Sequence, residues 1–167
     1  MTININDYDG IISLVNSETY NSFVGENWEL EQLKKHFIDE MNSDSIIVWQ
    51  TNNFGGDNWK IDLRTDESEE IAHSEFTKSI QVTNGKLYLA DYTDLTMSAQ
   101  FNDYSIPAKG HEMQVFEIEN GRYHVKIKRL FNPDEEPEEG KNAFEIIFKK
   151  NTEINNLKVD KIFWWTF

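Results

Sequence analysis

Short segments that alternate apolar and polar residues, or form brief apolar runs, recur through most of this chain and constrain its fold most strongly. Successive side chains of a β-strand point to opposite faces, so such alternation is typical of strands that bury one face. The clearest segments are residues 2–6, 45–51, 59–63, 80–89, 116–125 and 144–148. Their spacing predicts roughly seven to ten strands, as in a sandwich or barrel.

One segment has a helical period instead. Its apolar residues recur at intervals of three and four positions: Leu30, Leu33, Phe37 and Met41. The spacing predicts a helix over residues 27–42, with Asn27 as its N-cap and an ion pair between Glu31 and Lys35. The predicted fold class is α+β and mostly β: an antiparallel β-sandwich or open barrel with one N-terminal amphipathic helix. Because no linker is recognisable, residues 1–167 are expected to form a single domain.

Two Asn-Gly dipeptides predict β-hairpins, because these residues adopt the positive φ angles that a two-residue type I′ turn requires. The first is Asn84-Gly85 and the second is Asn120-Gly121. Turn geometry and hydrophobic pattern together predict the opposite pairs Val82–Leu87, Ile80–Leu89, Ile118–Tyr123, Phe116–Val125, Glu119–Arg122 and Glu117–His124. Two further strands are predicted at residues 96–101 and at the aromatic C-terminus, residues 162–167.

The chain is strongly acidic: 30 Asp and Glu residues against 16 Lys and Arg residues give a formal net charge of −14. Such a field repels nucleic acid and anionic membrane surfaces, and it favours association with a basic protein partner. Solubility alone is the alternative explanation. The sequence contains no cysteine, which excludes disulfides and cysteine-ligated zinc. Because the N-terminus also lacks the pattern of a secretion signal, a cytoplasmic protein is expected.

Recognisable catalytic motifs are missing from the sequence. The four histidines share no metal-ligand spacing, and neither a Gly-x-Ser-x-Gly elbow nor a phosphate-binding glycine loop occurs. We therefore predict a non-enzymatic protein with no metal and no cofactor. Two alternatives stay open. One is a β-sandwich module that binds carbohydrate or another small ligand through exposed Trp and Tyr; the other is a hydrolase whose carboxylate pair the sequence does not reveal.

Acidic side chains supply the candidate contacts for a basic partner. An Asp-Tyr-Thr-Asp cluster follows the first Asn-Gly segment, and residues 132–141 form a dense acidic loop. The predicted contacts are Asp91, Asp94, Glu135, Glu136, Glu138 and Glu139. The alternatives are a turn held by the Asp side chains and a solvated loop whose charges repel one another.

Four basic residues run against the overall charge: Arg122, His124, Lys126 and Lys128. Period-two geometry places all four on one face of a strand, as a candidate ribbon for an anionic ligand. The alternative is a solvated sheet face that Glu117 and Glu119 partly neutralise.

The second hairpin segment reads Phe-Glu-Ile-Glu-Asn-Gly-Arg-Tyr-His-Val over residues 116–125. The segment Leu-Phe-Asn-Pro-Asp-Glu-Glu follows it at residues 130–136, and residues 80–89 precede it. In this arrangement residues 76–136 resemble small bacterial β-sandwich proteins, namely the competence-nuclease inhibitor family and the immunity proteins of toxin systems. The resemblance implies a stoichiometric inhibitor that binds a toxic enzyme through acidic side chains. The predicted function is therefore a non-enzymatic immunity protein or inhibitor that neutralises a basic, nuclease-type toxin.

Overall fold

The computed structural model describes residues 1–151 and 157–166, within which the chain forms nine β-strands and two α-helices. In chain order they are β1 (Thr2–Asn6), β2 (Ile11–Val15), α1 (Leu30–Asn42), β3 (Ile46–Gln50), β4 (Asn58–Arg64), β5 (Ser74–Val82), β6 (Lys86–Asp91), α2 (Tyr92–Gln100), β7 (Val115–Glu117), β8 (Gly121–Arg129) and β9 (Phe144–Lys150).

The strands form two sheets that pack face to face without closing into a barrel. The first sheet has the order β1-β4-β9-β8-β5 and the second has the order β3-β2-β6-β7. Every pairing is antiparallel except that of β4 with β9, which is parallel. The predicted α+β, mostly β class is confirmed, and of the two architectures named the structure is the sandwich.

The inward faces of both sheets meet in an aromatic core. Trp49 of the second sheet and Trp59 and Phe144 of the first are fully buried. The Phe144 ring centroid lies 6.3 Å from that of Trp49 and 5.6 Å from that of Trp59. Burying one large apolar side chain contributes about 1.5–3 kcal/mol, so this interface stabilises the fold substantially. The packing between the two sheets also positions the loops at the ends of the strands.

Both helices cover the other face of the second sheet. Helix α1 contributes Leu33, Phe37 and Met41 to a second core, and α2 contributes Leu95 and Ala99. The central strand β2 is therefore buried on both faces, which explains why every residue of its sequence except Ser13 is apolar. No helix in the described ranges is long and apolar enough to cross a membrane.

Helix α1 begins three residues later than predicted, so the proposed Asn27 cap is wrong. Glu29 is the N-cap, and its backbone N–H donates to the side chain of Gln32 at 2.8 Å. This contact satisfies one of the donors that a helix start leaves unpaired. The predicted pair of Glu31 with Lys35 is also wrong. Glu31 instead pairs with Lys34, and Lys35 with Asp39.

The two predicted hairpins are wrong, because each Asn-Gly turn carries the chain from one sheet to the other. Strand β5 pairs with β8 while β6 pairs with β2 and β7, so the predicted cross-strand pairs on both turns are not formed. Val82 and Leu87 both face the core, but from opposite sheets. The apolar alternation indicates which face of each strand is buried, but it does not indicate which other strand lies beside it. Instead the turns contact each other: Gly85 N–H donates to the Asn120 side chain at 2.6 Å.

Two further predictions need correction. Residues 96–101 are not a strand: 96–100 are the second half of α2, a second helix that the sequence did not predict, and Phe101 caps it. The predicted strand at 162–167 is not formed over its described residues, 162–166, where Phe163 makes a single bridge to Trp49. Trp164 has a positive φ of 57°, which interrupts an extended chain. Phe167 lies outside the described residues.

Candidate functional site

Loops from both sheets converge at one end of the sandwich. Residues 7–10 follow β1, residues 51–57 follow β3 and residues 130–143 follow β8. The backbone N–H of Thr51 donates to the Gly10 carbonyl at 2.8 Å, and that of Asn53 donates to the Pro133 carbonyl at 3.0 Å. We call these three loops the acidic end. Its exposed carboxylates are Asp9, Asp57, Asp134, Glu135, Glu136, Glu138 and Glu139.

The buried carboxylate of Asp7 joins two of the three loops of the acidic end, residues 7–10 and 51–57. Its Oδ1 accepts hydrogen bonds from three successive backbone N–H groups, at residues 9–11, over 3.0–3.2 Å. Its Oδ2 accepts from Thr51 Oγ1 at 3.0 Å and from Trp59 Nε1 at 3.1 Å. Burial raises the pKa of Asp7, and the hydrogen bonds oppose that shift. The sequence prediction missed this residue. Its one local signal is an Asp placed three positions before Gly10 at the end of a strand.

The buried side chain of Arg129 also contacts the acidic end. The residue is 6% exposed, and its guanidinium stacks 4.3 Å from the ring centroid of Trp164. Nη1 donates to the Thr51 carbonyl at 3.3 Å, and Nε donates to Ser74 Oγ at 3.2 Å. Burial lowers the pKa of Arg129 to about 10. The side chain therefore ties the acidic end to the start of β5.

An open cleft of about 600 Å³ lies against the acidic loop. Glu135, Glu136 and Glu138, three of the four predicted contacts in this loop, line it together with Glu70 and Phe131. Glu139 is exposed beside the cleft. The side chains lining the cleft keep their carboxylates in solvent, where they can pair with a cationic side chain entering from outside.

Asp91 and Asp94 lie beneath the surface at the start of α2. Asp91 is the N-cap, and its Oδ1 accepts from the Asp94 backbone N–H at 2.8 Å. Asp94 is 2% exposed and accepts from Tyr104 Oη at 3.0 Å and His111 Nδ1 at 2.8 Å. The bond to Asp94 raises the pKa of His111, while burial raises the pKa of Asp91 and raises that of Tyr104 to about 12. That the two carboxylates contact a partner stays a prediction.

The predicted basic ribbon lies on the outward face of β8. Other residues of the same chain contact all four of its basic side chains. Arg122 pairs with Asp44 at 2.7 Å, and Asn151 Nδ2 lies 2.7 Å from the Nε2 of His124. The strap, which we define as residues 65–73, covers the rest of the face. Glu67 pairs with Lys126 at 3.7 Å and with Lys149, while Lys128 pairs with Glu145 at 3.7 Å and donates to the carbonyls of Ser68 and Glu70.

These contacts identify the acidic residues that neutralise the basic side chains of the ribbon. Its acidic partners come from the strap, from β9 and from the loop before β3. The predicted neutralisation by Glu117 and Glu119 is wrong. Glu117 lies opposite Lys86 in the second sheet, and Glu119 pairs with Lys150. Among the described residues no three His, Asp or Glu side chains are grouped as metal ligands.

Comparison with known proteins finds similarity in structure and none in sequence. No protein-family model matches the chain, and no curated protein matches it. The solved structure described as crocagin biosynthetic gene J is similar with a TM-score of 0.57 and 13% identity, over 88% of this chain and 94% of that one. ComJ of Bacillus subtilis, an inhibitor of the DNA degrading activity of NucA, is similar with a TM-score of 0.50 and 10% identity, over 90% of this chain and 96% of ComJ. At these identities the likeness is one of fold: the chain shares the architecture of ComJ and of the crocagin protein.

Proposed function

We propose that this chain is a non-enzymatic, stoichiometric inhibitor that binds a basic, nuclease-type protein with its acidic end. The observation that carries the proposal is the convergence of three loops that are separate in sequence. Together they expose seven carboxylates: Asp9, Asp57, Asp134, Glu135, Glu136, Glu138 and Glu139. Lys141 is the one basic residue in these loops, and it pairs with Glu138.

The chemistry of a nuclease makes it a suitable partner for this surface. An enzyme that cleaves nucleic acid needs Lys and Arg side chains to hold the phosphates. Carboxylates at the acidic end can occupy the same positions, and opposite charge accelerates the encounter. Docking then blocks access of the nucleic acid. The fold shared with ComJ, which inhibits a DNA-degrading enzyme, supports this class of target.

In this proposal the four glutamates of the acidic loop make the partner contacts, and Asp91 and Asp94 add negative potential from beneath. The buried pair also holds the start of α2, because Asp91 caps that helix. We propose the cytoplasm as the place of action, which agrees with a chain that has no cysteine.

The test is an inhibition assay against DNA-degrading enzymes. The purified chain is titrated into a fixed concentration of NucA of Bacillus subtilis and of the nuclease-type protein whose gene lies nearest to that of the chain in its own genome. We expect cleavage of one enzyme's DNA substrate to stop at one molar equivalent. If neither enzyme is inhibited at tenfold excess, the proposed function is wrong.

A charge variant and a matched control locate the contact. Glu135, Glu136, Glu138 and Glu139 are changed to Gln, and a control variant carries the same charge change at four exposed sites elsewhere: Glu26→Gln, Asp39→Asn, Asp103→Asn and Asp160→Asn. Loss of the loop charges should lower the association rate constant roughly tenfold and weaken its salt dependence. The control should change it little. Equal effects of both variants would remove the acidic end as the binding surface.

A further inference from the structure

Two aromatic side chains are exposed at the acidic end. Tyr8 is 80% exposed and Phe54 is 50% exposed. Single exposed apolar residues are common on protein surfaces. These two differ because they lie on neighbouring loops, residues 7–10 and 51–57, that are bonded to each other. Aromatic residues are also the type most enriched at the centre of protein interfaces.

The loops that carry the two rings fit together closely. The Gly56 N–H donates to the Tyr8 carbonyl at 3.4 Å, and the Asp7 N–H donates to the Asp57 carbonyl at 3.0 Å. A Cβ atom at Gly56 would lie 1.5 Å from the Asp7 carbonyl oxygen, so only glycine permits this approach. The five hydrogen bonds to Asp7 fix both loops further. The rings are therefore presented on a prearranged backbone, which reduces the entropy lost on binding.

The aromatic pair is continuous with the acidic loop. Asn53 precedes Phe54 and donates from its side chain to Asp134 Oδ1 at 2.7 Å. Its backbone N–H donates to Pro133, as described above. Asp9 and Asp57 are exposed on the two loops that carry the rings. The same two loops thus expose both aromatic rings and both carboxylates.

We infer that Tyr8 and Phe54 are the anchors by which the acidic end binds an arginine-rich face of its protein partner. A guanidinium group stacks on an aromatic ring and pairs with a carboxylate through its edge, so the two kinds of side chain complement it together. Lysine has no such plane and fits this surface less well. The inference rests on the proposed function, and it names the chemistry of the partner's surface.

The test uses a deca-arginine peptide as the probe and the whole chain labelled for NMR, at physiological salt. Chemical-shift changes should centre on residues 7–10, 51–57 and 132–139. The double variant Tyr8→Ala, Phe54→Ala should bind the peptide roughly tenfold more weakly, because two exposed cation–π contacts are lost. The control is Phe101→Ala, which removes an aromatic ring that is 42% exposed on the loop after α2. It should bind as tightly as the unmodified chain.

The outcomes separate this inference from the proposed function. Shift changes spread over the whole surface, or an unchanged affinity of the double variant, would overturn the role of the anchors even if a nuclease is inhibited. Localised binding that depends on both rings would support the anchors even if the nuclease assay fails. Thermal denaturation of the double variant checks that it is folded, which is expected since both rings lie on the surface.

Discussion

The buried ion pair between Lys78 and Asp44 offers the sharpest test of the packing described here. Lys78 is fully buried, and its Nζ lies 2.7 Å from Asp44 Oδ1 and 3.3 Å from the Ser79 carbonyl. Asp44 Oδ2 also pairs with Arg122. The change Asp44→Asn keeps the shape and tolerates the positive φ of 58° at this position, so it removes the charge alone.

Removing one partner of a buried pair costs about 3–5 kcal/mol, because the remaining charge is left without compensation. The remaining bond to Ser79 places the expected loss in the free energy of unfolding at about 3 kcal/mol. In a chain of this size that lowers Tm by about 6–12 °C. Burial lowers the pKa of Lys78, and losing Asp44 lowers it further. A depressed lysine pKa favours the folded state as pH rises, so the loss should shrink between pH 7 and pH 10.

The assay is urea denaturation followed by circular dichroism, with two companion variants. Lys78→Met combined with Asp44→Asn should recover most of the stability, because no uncompensated buried lysine remains. Asp39→Asn removes the exposed partner of Lys35 and should cost less than about 1 kcal/mol. If Asp44→Asn were no worse than Asp39→Asn, or the double variant no better than Asp44→Asn, the reasoning would be refuted.

Two further variants test the loops. Hydrogen bonding to Asp94 raises the pKa of His111 above 6.5, so this group stabilises the fold below that pH and the contribution is lost as pH rises through the raised pKa. Unfolding free energy should therefore fall between pH 6 and pH 9 more for the unmodified chain than for His111→Gln; parallel profiles would contradict this. Gly56→Ala should cost about 2–3 kcal/mol, since its Cβ would overlap Asp7. Hydrogen exchange should then show faster exchange at the Gly10 amide, and unchanged protection would speak against the close approach.

The sequence was informative about which faces are buried and uninformative about which strands are neighbours. The alternation around Trp59 and Phe144 correctly predicted β4 and β9, and the helical spacing correctly predicted the buried face of α1. Both Asn-Gly turns wrongly predict hairpins. Two strands joined by a turn show the same alternation whether the turn folds the chain back within one sheet or carries it to the other sheet. Helix α2 was missed because its apolar residues are few and its N-cap, Asp91, also fits a turn.

The candidate site was predictable only where its residues are contiguous. The acidic loop at 132–141 is visible in the sequence, and so is the one-sided placement of the basic residues on β8. The partners of Asp7 lie up to 52 positions away, and four elements separate the strap from Lys126 in the chain, so neither contact leaves a local pattern. The resemblance was drawn from residues 76–136, whereas the structural likeness to ComJ covers 90% of the chain and rests on the fold.

The strap has a consequence for the electrical asymmetry of the whole molecule. Its carboxylates help to neutralise Arg64, Lys126 and Lys149 on the outer face of the first sheet, and its carbonyls accept hydrogen bonds from Lys128. The negative charge that is left unpaired therefore lies outside this face, and the three loops expose seven of the carboxylates that carry it. An approaching positively charged partner exerts a torque that turns these loops toward it before contact. Replacing Glu67 of the strap, which does not line the cleft, should consequently alter how the protein orients in an encounter without altering what it touches.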